Sequence, residues 1–160
     1  MIYNTDYFKL VLARSREIIN LMNYEVDIGF VGRDLCYEYE YNGNILLDTG
    51  LIPNSTVLVS NNISSYEKNI CSQYPKFAKK LLKNDNIFRI SGSAEAYLSL
   101  NIFNECVDSY QTGNTIWANG LTVKKVLAKS SLVMLGDKKI EESHFYHQFI
   151  HYLVGKREIP

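Results

Sequence analysis

The chain has 160 residues, 17 basic and 17 acidic side chains, and a formal net charge of zero. That balance offers no general electrostatic grip on nucleic acid or on an anionic membrane, and a chain of this size buries about two-thirds of its unfolded surface, enough for one domain or two small lobes. No apolar run approaches the roughly 18 residues of a membrane span, the opening Met1–Asp6 lacks a basic-then-apolar leader, and the three widely spaced cysteines, Cys36, Cys71 and Cys106, read as reduced, packed thiols. A soluble cytoplasmic protein with a small-molecule partner is expected.

In chain order, Phe8–Ala13 reads as a strand and Ser15 as the N-cap of a helix whose apolar residues run through Ile18, Ile19 and Met22. Val26–Gly32 is a second strand that empties into a short helix at Arg33-Asp34-Leu35, and ligands of open α/β sheets bind at such carboxyl ends. Ile45–Leu47 and Thr56–Val59 are further strands, with the polar Asn61–Ser65 as a crossover. Lys68–Ser72 is a short strand. Pro75 then opens an amphipathic helix with Phe77, Leu81 and Leu82 on one face and Lys76, Lys79, Lys80 and Lys83 on the solvated one. Ile87–Ile90 is a strand that Ser91–Glu95 carries into a helix over 96–103, Glu105–Asp108 is the next strand, Leu121–Leu135 a broken strand pair, and Lys138–Val154 a closing helix. The alternation predicts an α/β fold. His144, His147 and His151 lie near one face of the closing helix, but the interspersed Phe145, Phe149, Ile150 and Leu153 make it a packing helix, and no resident metal site is expected.

One stretch carries chemistry. Asp108-Ser-Tyr-Gln-Thr-Gly-Asn-Thr115 places an acid, a glycine and two hydroxyls at a turn from strand to helix. Free amides at a helix start carry partial positive charge and Gly113 permits close backbone approach, so Gln111, Thr112, Gly113, Asn114 and Thr115 read as a phosphate cradle, with Asp108 placed to accept from sugar hydroxyls. Such loops also occur in ordinary turns.

Three segments in this order resemble the ATP phosphoribosyltransferase family. They are Ala13–Ile18 with Val26-Asp-Ile-Gly-Phe-Val-Gly-Arg-Asp-Leu35; Leu46-Leu-Asp-Thr-Gly50 with Gln73-Tyr-Pro75; and Ser91-Gly-Ser-Ala-Glu95 followed by Asp108 to Leu121, including Asn119-Gly120-Leu121. The resemblance implies a two-lobed α/β architecture like that of type II periplasmic binding proteins, shortened at its N-terminus, with residues 1–60 as an incomplete first lobe. Residues 61–120 would form the second lobe with the phosphate loop, and 121–160 a return segment whose helix packs on the first lobe. It further implies transfer of phosphoribosyl from phosphoribosyl pyrophosphate to N1 of ATP, in histidine biosynthesis, with Mg2+ accompanying the pyrophosphate. An oligomer and a regulatory subunit resembling a histidyl-tRNA synthetase are the implied assembly. Residue by residue, Gln111–Thr115 would hold the ribose 5-phosphate, Asp108 would sit near the ribose hydroxyls, and Arg14, Asp34 and Glu95 would face the cleft to pair with phosphate or orient sugar and magnesium.

The departures are specific. The family's opening strand-helix unit with its Lys-Gly-Arg segment is missing, Gln73 stands for a lysine, Glu17 for an aspartate, Ser15 for a proline, and Trp117 for a small or charged residue. A truncated, non-catalytic nucleotide or sugar-phosphate binding module is therefore the competing expectation, and a solute-binding domain of the same architecture a third.

Overall fold

A computed structural model describes residues 1–6, 8–24, 26–63, 69–110 and 114–157, with the side chains of 114–115 and 153–157 left aside. The chain forms two compact units, Met1–Gly50 with Leu132–Pro160, and Leu51–Ser131.

In the first unit, a hairpin of β1 (Ile2–Asn4) and β2 (Lys9–Val11) precedes α1 (Ser15–Leu21). Ser15 is the first helical residue, and the cap position belongs to Arg14, which is extended (φ −66°, ψ 146°). The Arg14 carbonyl accepts from Glu17 and Ile18, so it is the backbone that closes the first turn. A three-stranded sheet follows in the order β3 (Ile28–Gly32), β10 (Leu132–Gly136), β4 (Asn44–Asp48), with β10 antiparallel to both neighbours. As the central strand β10 must be apolar on both faces, and Val133, Met134 and Leu135 are fully buried. Ile19, Val31, Cys36, Val133 and Leu135 form the core beneath α1 and α2 (Arg33–Glu38). A Cβ at Gly29 would meet the Met22 sulfur at 2.6 Å, so glycine is what lets α1 approach β3.

The closing helix is broken. Lys138–Glu142 is a 3-10 turn capped by Asp137, which accepts from Lys139 N–H at 2.9 Å, and α6 (His144–Arg157) begins anew after Ser143. Ser143 is extended and its hydroxyl accepts from Tyr146 N–H, an N-cap in mid-segment that stops one helix and starts the next. Within this unit α6 holds Phe149 against Phe30, ring centroids 5.3 Å apart.

The second unit is built on five strands in the order β7 (Ile87–Arg89), β6 (Ile70–Ser72), β8 (Glu105–Tyr110), β5 (Asn54–Ser60), β9 (Thr122–Ser130). β7, β6 and β8 are parallel, and β5 runs antiparallel to β8 and β9. The helices are α3 (Pro75–Leu82), α4 (Ala94–Ser99) and α5 (Asn114–Ala118). Val57, Val59, Cys71, Leu98, Cys106 and Leu121 fill one face of the sheet, and Ile70, Ala78, Ile87 and Val107 the other.

The units divide at Gly50/Leu51 and Ser131/Leu132 rather than at 60 and 120. The physical reason is pairing. β5 ladders with β8 and β9 along its whole length, burying Val57 and Val59, so both β5 and β9 belong to the five-stranded sheet, and only β10 returns to the first.

Candidate active site

Parallel strands present their carboxyl ends on one side of a sheet, and there ligands of α/β proteins gather. In the second unit Ser72 is in register with both Arg89 and Val107. The segment after β7, the Gln73–Pro75 turn after β6, and Asp108–Tyr110 at the end of β8 therefore share one sheet end. Ser72 fixes that end: fully buried, its hydroxyl donates to Val107 O at 2.8 Å and accepts from Tyr74 N–H at 2.9 Å.

The turn into α4 is made by Gly92 (φ 154°) and Ser93 (φ 55°), both in the region that disfavours side chains. It delivers Glu95, half-exposed, in the first turn of α4, where its charge meets the helix's partial positive end. Asp108 is half-buried and its Oδ1 accepts from Ser109 N–H at 2.7 Å. Burial pushes its carboxyl above the ordinary value of 3.8, the Ser109 N–H opposes this, and the neighbouring Glu95 carboxylate adds to the rise. Asp108 and Glu95, which follow β8 and β7, thus sit at one sheet end, close enough for the Glu95 charge to act on the Asp108 carboxyl. Behind them Cys71 and Cys106 pair across β6 and β8. Its hydrogen bond to Cys71, then burial and the Asp108 and Glu95 charges, push the Cys106 thiol up, so it packs as a neutral group.

Gln111, Thr112 and Gly113 lie outside the described residues. Asn114 and Thr115 open α5, in line with a helix start at the end of the loop. Asn119-Gly120-Leu121 closes α5. Gly120 (φ 66°) donates to Trp117 O at 3.0 Å and Leu121 N–H to Ile116 O at 3.0 Å, a left-handed stop that ends α5 and buries Leu121. Asn54 carries no such signal in the sequence, yet its Oδ1 accepts from Tyr110 N–H at 3.2 Å and sets the exit of β8 toward the loop.

Two predicted residues belong to the first unit. Arg14 is exposed, and no ion pair joins it to another described residue. Asp34 lies in the first turn of α2 at 7% exposure, engaged with other groups of the protein. Burial, then the Asp34 charge, raise the neighbouring Cys36 thiol to about 11, against the opposing pull of Arg33. Asp48 of the Leu-Leu-Asp-Thr-Gly segment is likewise engaged, accepting from Arg33 at 3.0 Å and from Gly50 N–H at 3.0 Å, while the Thr49 hydroxyl donates to Leu132 O at 2.7 Å. This segment ties β4 to β10. His144, His147 and His151 are exposed on α6, and among the described residues no three His, Cys, Asp or Glu side chains converge as a metal site.

The fold is α/β, of the type II periplasmic-binding-protein kind. Holo ArgBP from T. maritima has this fold, with TM-score 0.59 at 13% identity, covering 94% of this chain and 73% of that one. The ATP phosphoribosyl transferase (HisG:HisZ) complex from Thermotoga maritima matches at TM-score 0.80 and 18% identity, over 97% of this chain and 82% of that one.

The family model for ATP phosphoribosyltransferase matches residues 14–156, and the chain belongs to that family. The ATP phosphoribosyltransferase of Dictyoglomus turgidum is 36% identical over 142 residues, 82% of this chain and 69% of the relative. That of Pyrococcus furiosus is 26% identical, over 92% of this chain and 77% of its own. Among the described residues no helix is long and apolar enough to cross a membrane.

Proposed function

We propose that the protein transfers the phosphoribosyl group of phosphoribosyl pyrophosphate to N1 of ATP, releasing pyrophosphate, as a step of histidine biosynthesis. The observation that carries this reading is the family match over residues 14–156, with Asp108 at the carboxyl end of the parallel strand β8 and Glu95 in the first turn of α4, which follows β7. Breaking the bond between C1 and pyrophosphate leaves positive charge on the ribose ring. Carboxylates at this sheet end stabilise that charge more than they stabilise the neutral ground state, which is what accelerates a step. Pyrophosphate is a competent leaving group, so positioning matters more than proton transfer.

In this reading Gln111–Thr115 hold the 5-phosphate on loop amides and the start of α5, Asp108 orients the ribose hydroxyls, and Glu95 faces the ring. Arg14, in the first unit, is a candidate cation for phosphate charge. Asp34, being buried, positions α2 instead of touching substrate. In this reading magnesium enters with the pyrophosphate of the substrate, its ligands drawn mostly from pyrophosphate and water; among the described residues no three His, Cys, Asp or Glu side chains converge on one point. The three buried free cysteines fit a reducing cytoplasm. A partner subunit is part of the proposal too, because the likeness in fold is to a protein solved as a two-component complex.

The test is direct. Purified chain, with and without a regulatory subunit, is given both substrates and magnesium, and phosphoribosyl-ATP and pyrophosphate are followed by chromatography. Equimolar products that fall sharply in Asp108→Asn support the reading; binding of phosphoribosyl pyrophosphate with no product in either assembly would sink it.

A further inference from the structure

We infer that Asn54 is a positioning residue for the phosphoribosyl donor, holding the end of β8 in the arrangement that the donor binds. The inference rests on the proposed transfer and names a residue that shapes its donor site. β6 is in register with β8 only over Glu105–Val107, so beyond Val107 the strand has lost that neighbour. Asp108, Ser109 and Tyr110 are held from the other side alone, opposite Val57, Thr56 and Ser55 of β5. A strand end paired on one side opens more readily than one paired on both. This stretch nevertheless carries Asp108, and Tyr110 is the last residue before the proposed 5-phosphate loop.

Asn54 closes that open end. Ser55 faces Tyr110, and Asn54 stands one residue beyond it, where its Oδ1 accepts from Tyr110 N–H at 3.2 Å. The Asn54 backbone is laddered to β9, in register with Ser130, so the accepting oxygen is carried by a paired strand. The group on Tyr110 is an N–H, which requires the amide oxygen opposite it and fixes which way the Asn54 amide lies. The Tyr110 ring packs against the core of Val57, Val59 and Cys106, so packing and hydrogen bond hold the same residue. Asparagine is depleted in strands, and valine, an ordinary strand residue, offers no acceptor for this N–H. Ligand-binding groups keep their geometry only when the residues beneath them are locked by packing and hydrogen bonds. Ser72 does the same for Val107 O from β6, but it is fully buried inside the sheet, whereas Asn54 is half-buried at the sheet end. Substitution at Asn54 therefore reads the site more than the fold.

Asn54→Leu keeps the bulk of the side chain and removes the acceptor. Kinetics of the full chain with each substrate varied in turn should give a KM for phosphoribosyl pyrophosphate raised about tenfold, the size of one hydrogen bond, with the KM for ATP within about twofold of the parent. Calorimetry of phosphoribosyl pyrophosphate binding, which needs no turnover, should show the same loss. A parent that binds this substrate without making product counts against the proposed transfer, while a tenfold weaker Asn54→Leu still supports the role of Asn54. Unchanged binding in a folded Asn54→Leu overturns the inference. So does an equal rise in both KM values, which a general loosening would give, and so does a parent that binds no phosphoribosyl pyrophosphate. Should the variant fail to fold, amide exchange of the parent decides: Tyr110 N–H should exchange at least about tenfold more slowly than in an unstructured peptide, and an unprotected Tyr110 overturns the inference.

Discussion

The two units each contain a strand that empties through glycine into a short helix with an acid in its first turn, and they use the device differently. At β3–α2 the backbone at Gly32 is extended (φ −64°, ψ 137°) and Asp34 is buried and engaged. At β7–α4 the chain turns through Gly92 and a left-handed Ser93, and Glu95 is left half-exposed beside Asp108. The ion pairs differ in the reverse sense. Arg33–Asp48 has both side chains partly exposed, at 30% and 46%, whereas Glu105 at 4% is buried and met by Lys124 at 2.8 Å. One unit therefore buries the acid at its helix start and exposes its ion pair; the other keeps its acids available and places the buried charge deeper in the sheet. A carboxylate left without a cation and partly desolvated holds its proton more tightly, as Asp108 does, whereas a buried one such as Glu105 offsets its desolvation through its partner.

The largest expected effect is at Asp108. Asp108→Asn should lower kcat about a hundredfold to a thousandfold, the size of loss seen when one preorganised charge-stabilising group is removed. The parent's activity should fall with decreasing pH through a midpoint above 3.8, because the folded carboxyl holds its proton more tightly than usual. Stability should move the other way. A raised folded pKa means that charging Asp108 destabilises the fold as pH rises from 3.8 through the folded value, so the variant should melt higher than the parent at pH 7. That gain should vanish below about pH 3.8, where both states of the parent are protonated, and calorimetry against pH checks both signs.

Next in size, Lys124→Met leaves the Glu105 carboxylate buried without its partner and should cost about 2 kcal/mol in denaturant unfolding, discounted because Lys124 is 42% exposed. The double variant with Glu105→Gln should recover most of it. Arg33→Met, at the exposed pair, should cost under about 1 kcal/mol. Equal losses at both sites would break the contrast between the units.

Smaller still, Asp34→Asn should cost about 1 kcal/mol of stability through a lost buried hydrogen-bond partner. Glu95→Gln should leave stability within about 0.5 kcal/mol and lower kcat about tenfold. If Asp34→Asn proved silent in folding and severe in kcat, the assignment of a supporting role to Asp34 would be reversed. The smallest change is at Ser93, where Ser93→Gly relieves a left-handed backbone at φ 55° and should stabilise by about 0.5 kcal/mol.

Thr56–Val59 is legible as a strand because β-branched residues in a short run between turns favour extended backbone. Nothing in those residues tells which sheet they join, since their partners β8 and β9 lie some fifty to seventy residues away. Asn119-Gly120-Leu121 is visible as a motif, yet only the hydrogen bonds to Ile116 and Trp117 show that it ends a helix. The apolar periodicity over Lys138–Val154 reads as one helix and hides the break at Ser143 between the 3-10 turn and α6.

The sequence by itself determined the strand-helix alternation, the acids at the helix starts and the family, because local spacing and ordered motifs survive without knowledge of contacts. Tertiary structure alone decided that Glu95 and Asp108 share one sheet end while Asp34 is buried. It also decided that β5 and β9 leave the segments they were expected to join. It left the hairpin's apolar faces bare as well. Burial and charge proximity depend on which distant strands pair, and pairing is settled by the cores that those strands close together.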